Sequence, residues 1–563
     1  MSTHARPLAD RLAAASDEQF GELLRIRDVH ADADWDDFFD AAEALLEPAS
    51  IERGLAALTR ADAQRLADAV RPDAEIDAST ADLLASLGFL DAQGRVPAPV
   101  IAAVAAHSPV ADAERAAETP ASDSAAAGAA ERAWATVGAL ADLLLAARTA
   151  PLALVATGAL SVTEKRRLML DDDADSLREI AELSGLARPV DREWRLTPTA
   201  EDWLAASFAE RWAQLATAFR ESMPAGIRSG SGWDPIGSWP EAHPWDSAWA
   251  AHADRLTHLA VLLGLRTIDR TEPAWAQALR TGGEADTSAL QALLPTEVDR
   301  LFLQNDLSAI APGPLQPALD NRLRGMTEHS SAAQVSSYRF TADSVARALV
   351  DGETEQGILT FLHELSLSGV PQPLEYLIAQ TAARHGLVRV GPDSTGGTQV
   401  RSADEHLLEA IAVDRNLRPL GLVPDGDRLH SRVSAETVAW ALSDARYPAT
   451  LVDRDDVAIA VQRRRLAPPA AAPGVEYASL IARLRSHRGP DADAAWLGRE
   501  LEAAVRARAL VQVQVAMPDG TSRQLTLEAS GIGGGRLRGR DRAADVERTL
   551  PVRSIRSVQV LEA

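Results

Sequence analysis

The chain has 563 residues, 46% hydrophobic and 25% charged, with a formal net charge of −24 and no cysteine. That is globular composition, long enough for roughly three to five domains, and it excludes disulfides and thiolate metal sites. The acid excess argues against a general nucleic-acid coat, and the single lysine, Lys165, lies outside any glycine-rich loop, which excludes a Walker A loop.

Residues 1–107 read as helical. Asp17 caps a helix with Phe20, Leu23 and Leu24; Trp35, Phe38, Phe39, Ala42 and Leu45 mark a second helix; Ser50 starts a third with Ile51, Leu55 and Leu58. A helix over 80–87, then Gly88-Phe-Leu90, a turn at 91–94 and Val96, predict a small wing and a winged-helix-like unit. Acids appear at once at Asp10, Asp17 and Glu18, so no secretory signal is read. The most apolar stretch, 137–162, is broken by Asp142, Arg148 and Pro151 and predicts buried helices, not a membrane span. The expectation is a cytoplasmic protein, with nucleoid association as the alternative and no membrane partner.

Residues 108–131, rich in Ala, Ser, Asp and Pro, predict a linker. Residues 132–295 predict a second winged-helix-like unit, with Leu177, Ile180, Leu183 and Leu186 on one face, a wing over 194–198 and a further helix at 201–204. Eight of the 12 tryptophans fall between Trp194 and Trp275, either as an aromatic platform for bases or a partner, or as core.

Residues 296–425 predict an α+β domain. Leu301–Gly313 has a hairpin pattern turning at Asn305-Asp306. Thr341 reads as a helix N-cap with Asp343 in the first turn; Thr354 starts a helix carrying Ile358, Phe361, Leu362 and Leu365; Leu374, Leu377 and Ile378 carry a third, Gly386 caps it, and 387–390 is a strand. Residues 426–465 predict an appended helical segment with its helix around 437–442, and 466–475 a Pro/Ala linker. Residues 476–563 predict a small β domain. It has a helix through Leu497, Leu501 and Ala504, alternation over 510–515, a turn at Pro518-Asp-Gly520, a glycine run at 531–535 and a closing strand over 550–560.

The words Leu301–Gly313, Tyr338-Arg-Phe-Thr and Pro371–Gly391 resemble the N-terminal, helicase-associated domain of the XPB/Ssl2 DNA helicases. The chain as a whole looks like the actinobacterial proteins that carry that domain. The close match covers about 298–425. The resemblance implies a DNA-transaction role and supplies no motor. The C-terminal β domain is similar to the WYL-type domains of bacterial DNA-linked regulators, in degenerate form: the Trp-Tyr-Leu signature is missing, and Arg553 and Ile555 match the closing strand only loosely. The implied fold class is multi-domain, mainly α with α+β.

No catalytic, cofactor or metal residues are predicted. His363 lacks the second histidine of an HExxH site, Asp171–Asp175 lacks EF-hand spacing, and there is no GxSxG elbow. Gly531-Ile-Gly-Gly-Gly535 is not followed by a helix and predicts a bulge or turn. The candidates for contact with phosphates are Arg536, Arg538, Arg540 and Arg542, placed by alternation on one strand face, and secondarily Arg384 and Arg389. The competing account of the four is an edge strand guarded by charge. Charge is uneven: residues 1–130 hold 10 Arg against 24 acids, net −14, and residues 499–563 hold 11 Arg against 8 acids, net +3. The expected function is a non-catalytic helicase-associated protein in DNA repair or transcription, binding DNA, a separate helicase or nuclease, or both. The alternatives are a winged-helix/WYL-type transcriptional regulator and a protein-binding scaffold without direct DNA contact.

Overall fold

The computed structural model describes residues 5–110, 117–168, 173–332, 335–393, 396–445, 447–456, 459, 466–468, 477–487, 490–517 and 521–561. The Pro518–Gly520 turn, Asp171 and Asp172, and positions 469–475 of the second expected linker lie outside these. The protein is a multi-domain assembly of mixed α and α+β type. Among the described residues, no helix is long and apolar enough to cross a membrane.

The N-terminal unit has seven helices between Ala5 and Ala106. Ser16, not the expected Asp17, caps the helix Asp17–Ile26, and Asp37 caps Phe38–Leu45, each through a reciprocal capping box. Phe20, Leu24, Phe38, Phe39, Ile51 and Phe89 fill its core. Arg27 is fully buried there, donating to the carbonyls of Leu45, Ser50 and Ile51 and lying over the Phe89 ring. The expected wing is absent: no strand occurs among the described residues up to 107. Phe89 and Leu90 go into the helical core instead of alternating across a hairpin, and the Asp91 carboxylate ties the turn by accepting from the N–H groups of Gln93 and Arg95.

The second unit begins with a 27-residue helix, Asp123–Thr149, so positions 123–131 of the expected linker are helical. Ser122 caps it, and Pro120 bridges to Glu272. The bulky periodicity is missing because this end is packed through small side chains. Ala129, Ala130 and Ala133 are fully buried, and a Cβ on Gly264 would lie 2.6 Å from the Ala129 carbonyl oxygen. Strand β1 (Leu152–Ala153), helices Val162–Arg167 and Ala174–Leu183, and the hairpin β2 (Ala187–Val190) and β3 (Glu193–Leu196) follow, forming a three-stranded sheet ordered β1-β3-β2. A short hairpin, β4 (Arg228–Ser229) and β5 (Gly232–Trp233), completes the strands of this unit. All eight tryptophans from Trp194 to Trp275 are buried. Their indole N–H groups point inward, for example Trp212 to the Leu263 carbonyl and Trp275 to the Gly264 carbonyl, each at 2.8 Å. An aromatic platform is therefore not formed.

The central region holds two sheets with separate cores. Strands β6 (Phe302–Leu303), β7 (Ser308–Ile310), β8 (Glu328–Ala332) and β9 (Val335–Arg339) form an antiparallel sheet ordered β6-β7-β9-β8, with β6 and β7 making the expected hairpin. Thr341 and Thr354 cap the helices Ala342–Val350 and Glu355–Leu365, and Gln372–Arg384 follows. The second sheet contains β10 (Val388–Pro392), β11 (Thr398–Ser402), β12 (Val423–Asp425), β13 (Arg428–Ser431) and β14 (Ala449–Leu451), ordered β12-β13-β11-β10-β14. Its Val388, Val390, Val400, Leu429 and Leu451 form one core with Leu408 and Ile411 of the helix Glu405–Val413 and Val438 and Leu442 of Ala435–Asp444. A boundary at 425 therefore cuts the β12–β13 hairpin, and 426–465 is no appendage, because β14 pairs in parallel with β10. Three residues, Ala449-Thr-Leu451, are too few for periodicity to reveal a strand.

The helices Ala478–Ser486 and Pro490–Arg506 precede a five-stranded antiparallel sheet of β15 (Leu510–Ala516), β16 (Ser522–Gly533), β17 (Arg536–Asp541), β18 (Val546–Pro551) and β19 (Ile555–Leu561), ordered β18-β17-β16-β15-β19. Leu497, Leu501 and Ala504 of the longer helix pack under this sheet. Its other side, through Trp496, joins the core of the N-terminal unit together with Leu480, Ile481 and Leu484. Trp496 donates to Asp37 at 2.9 Å, and Arg499 pairs with Asp37 and Asp40. The C-terminal module is thus fixed to the acidic N-terminal unit by both helices, the longer of which has two apolar faces.

Candidate nucleic-acid interface

Strand β17 alternates as its sequence demands: Leu537, Gly539 and Asp541 are buried, while Arg536, Arg538 and Arg540 are exposed. It is not an edge strand, since β16 and β18 flank it on both sides. Edge protection therefore does not account for the arginines. The Asp541 carboxyl, facing inward, accepts from Arg548 at 2.6 Å, which holds it below the usual carboxylate range.

The four arginines do not form one set. Arg536 lies opposite Gly533 and Pro551, and Arg538 opposite Gly531 and Thr549. The glycines leave both guanidinium groups room on the face, and neither has a carboxylate partner among the described residues. Arg540 lies between Glu528 and Glu547 in register and hydrogen-bonds Asp545 at 2.9 Å. Arg542 follows the strand and sits 3.5 Å from Glu528. Gly534 and Gly535, both at positive φ, turn the chain between β16 and β17. Gln512, Gln514, Gln524, Thr526 and Gln559 continue the same face across β15, β16 and β19 by register.

Arg384 and Arg389 are not brought together. Arg384 ends the helix Gln372–Arg384 and is exposed, whereas Arg389 stands on β10. Arg389 is directly opposite Arg401 of β11, which is directly opposite Arg428 of β13. Three guanidinium groups thus form a row across the open face, and sequence reasoning missed two of them. The alternation in Thr398-Gln-Val-Arg-Ser402 marks Arg401 as outward, but only pairing reveals the row. Asp456 accepts from Arg401 Nη2 at 2.6 Å and also binds Arg389. Arg428 donates to Asp427 at 3.0 Å and to Gln399 at 3.1 Å. Beside the row, the His430 ring lies 3.2 Å from both Asp393 and Asp425. No cluster suited to a metal ion occurs among the described residues.

Residues 301–424 match a family model described as a helicase conserved C-terminal domain. The match begins beside β6 and ends in β12, so it takes in the whole first central sheet and β10, β11 and part of β12 of the second. No curated protein matches the chain.

Proposed function

We propose that this protein is a non-catalytic, helicase-associated component of DNA repair or transcription that binds DNA and works beside a separate helicase or nuclease. The observation that carries the reading is the helicase-type match over 301–424 in a chain with arginines on two open sheet faces. The order helix, β1, two helices and the β2–β3 hairpin in the second unit supports a winged-helix role there. The five-stranded C-terminal sheet, with a 3-10 turn at Val552–Ser554 before its closing strand, is compatible with the WYL-like reading.

The purified chain is expected to turn over no ATP, with or without DNA. Lys165, the single lysine, stands on the helix Val162–Arg167 and is bonded to Asp175 at 2.5 Å, so it has no phosphate loop to serve. DNA-stimulated hydrolysis that co-purifies with the chain and survives Lys165→Ala would overturn this.

A salt titration tests DNA contact by the C-terminal sheet. Each phosphate neutralised contributes about −0.9 to the log–log slope on duplex DNA. Arg536→Gln with Arg538→Gln is expected to flatten the slope by about 2, because both cations lack a carboxylate partner among the described residues. Arg540→Gln with Arg542→Gln is expected to change it by less than about 1, because acids already neutralise both. Equal effects from the two pairs would reject the division, and no effect from either would place DNA contact elsewhere.

A further inference from the structure

We infer that the open face of β10, β11 and β13 is a second site for nucleic-acid phosphates, held closed by Asp456, whose carboxylate stands where a phosphate would bind; this rests on the DNA-binding reading above. The row Arg389–Arg401–Arg428 spans two inter-strand steps, about 10 Å. Like charges directly opposite one another destabilise a sheet, so a row of three requires a compensating anion. The chain supplies one from an acidic strap just past β14, which contains Asp453, Asp455 and Asp456.

The chain enters the strap still running beside β10. The Val452 N–H donates to the Val390 carbonyl at 2.8 Å, and a Cβ on Gly391 would lie 2.8 Å from Val452 Cγ2 and 3.0 Å from the Val452 carbonyl oxygen. Gly391 thus has no side chain where the chain leaves β14 for the strap. Asp456, at φ +64, offers one carboxylate oxygen to Arg401, and the other together with its own carbonyl to Arg389. An oxyanion bridging two guanidinium groups is the arrangement a backbone phosphate makes. Compensation is incomplete, since Arg401 Nε is buried without an acceptor among the described residues. The other groups facing the row are Asp425 and Asp427 beside Arg428, and His430 with Asp393 in the adjoining row. They crowd the Arg428 end, which leaves the Arg389–Arg401 end as the phosphate position and Asp456 as the group to displace.

The test is fluorescence anisotropy of the full chain with a labelled single-stranded and a duplex 20-mer, from about 50 to about 200 mM salt, the range over which phosphate contacts dominate. Asp456→Ala and the nearly isosteric Asp456→Asn are both expected to tighten binding roughly tenfold near 0.1 M salt and to steepen the slope by about 1 to 2. Adding Arg389→Gln and Arg401→Gln to Asp456→Asn is expected to return the affinity to the wild-type value or below. Unchanged affinity in both Asp456 variants, with folding verified by circular dichroism, overturns the inference. Inorganic pyrophosphate separates the sources of phosphate: if it competes at the same concentration as the oligonucleotide, the site takes a free phosphate and the nucleic-acid assignment falls. The functional reading is judged on Arg536 and Arg538, which lie on another sheet. A loss there without a gain at Asp456 sinks this inference alone, and a gain at Asp456 without a loss there moves DNA contact to the central sheet.

Discussion

Arg324→Leu is expected to destabilise the junction between the second unit and the central region by about 3 kcal/mol, the low end of the cost of breaking a buried ion pair. Arg324 stands in the helix Pro317–Gly325 with its side chain 18% exposed. It bonds Asp320 one turn back and reaches Asp142 on the long helix Asp123–Thr149. Asp320 also accepts from the Tyr338 hydroxyl. Burial works against the guanidinium charge, but the two carboxylates outweigh it and hold its pKa above the ordinary value. Leucine fills the apolar stem and leaves Asp320 without its counter-charge. Asp142 is half exposed and can be rehydrated, which keeps the cost at the low end. A second tether, Arg148 to Asn321 at 2.7 Å, keeps the junction together, so local loosening rather than separation is expected. Hydrogen exchange should quicken in Pro317–Gly325 and in the facing turns of Asp123–Thr149. The comparison is Arg25→Leu, which breaks an exposed pair with Glu22 and should cost less than about 1 kcal/mol. Equal effects of the two changes would mean that the junction pair contributes no more than a surface pair.

What could be read from the sequence follows from the range of each interaction. Thr341 and Thr354 cap helices where the sequence places them, because capping is decided within four residues. The alternation of β17 was likewise legible, since strand period is local. Its electrostatics were not: Asp545 and Glu528, which neutralise Arg540 and Arg542, belong to the following turn and the neighbouring strand. The Arg389–Arg401–Arg428 row needs two long-range pairings that no local pattern encodes, and β14 is too short to announce itself. The missing N-terminal wing and the helix over 123–131 are failures of another kind. In the first, apolar residues that fit a hairpin were taken by a helical core; in the second, alanine packing looked like the absence of packing. The tryptophans were ambiguous until burial decided for the core.

The docking of the C-terminal module should weaken as pH rises from about 4.5 to about 7, and Glu500→Gln should abolish that dependence. Glu500 lies on the helix Pro490–Arg506 with its side chain 5% exposed. Its nearest cation is Arg6 of the helix Ala5–Ala14 at 3.7 Å, too long for a hydrogen bond, and its Oε2 has no hydrogen-bond partner among the described residues. Burial, reinforced by the like charge of Asp10 and only partly offset by Arg6, pushes its carboxyl up to about 7. A folded-state pKa above the unfolded value of 4.5 means that folding takes up a proton between those limits. The stabilising effect of the proton is therefore complete below about 4.5, shrinks as pH rises, and is gone above about 7, where the folded state carries a buried anion. A shift of this size corresponds to at most about 3 kcal/mol. Glutamine keeps the shape and never ionises, so the variant should exceed wild type by up to about 3 kcal/mol at pH 8 and by less than about 1 kcal/mol at pH 5. Taking the difference between the two proteins at each pH cancels every other titrating group they share. Hydrogen exchange in Pro490–Arg506, the helix that Trp496 and Arg499 hold against Asp37 and Asp40, reads the effect where it acts. A difference that stays constant between pH 5 and pH 8 would show that Glu500 does not titrate on docking.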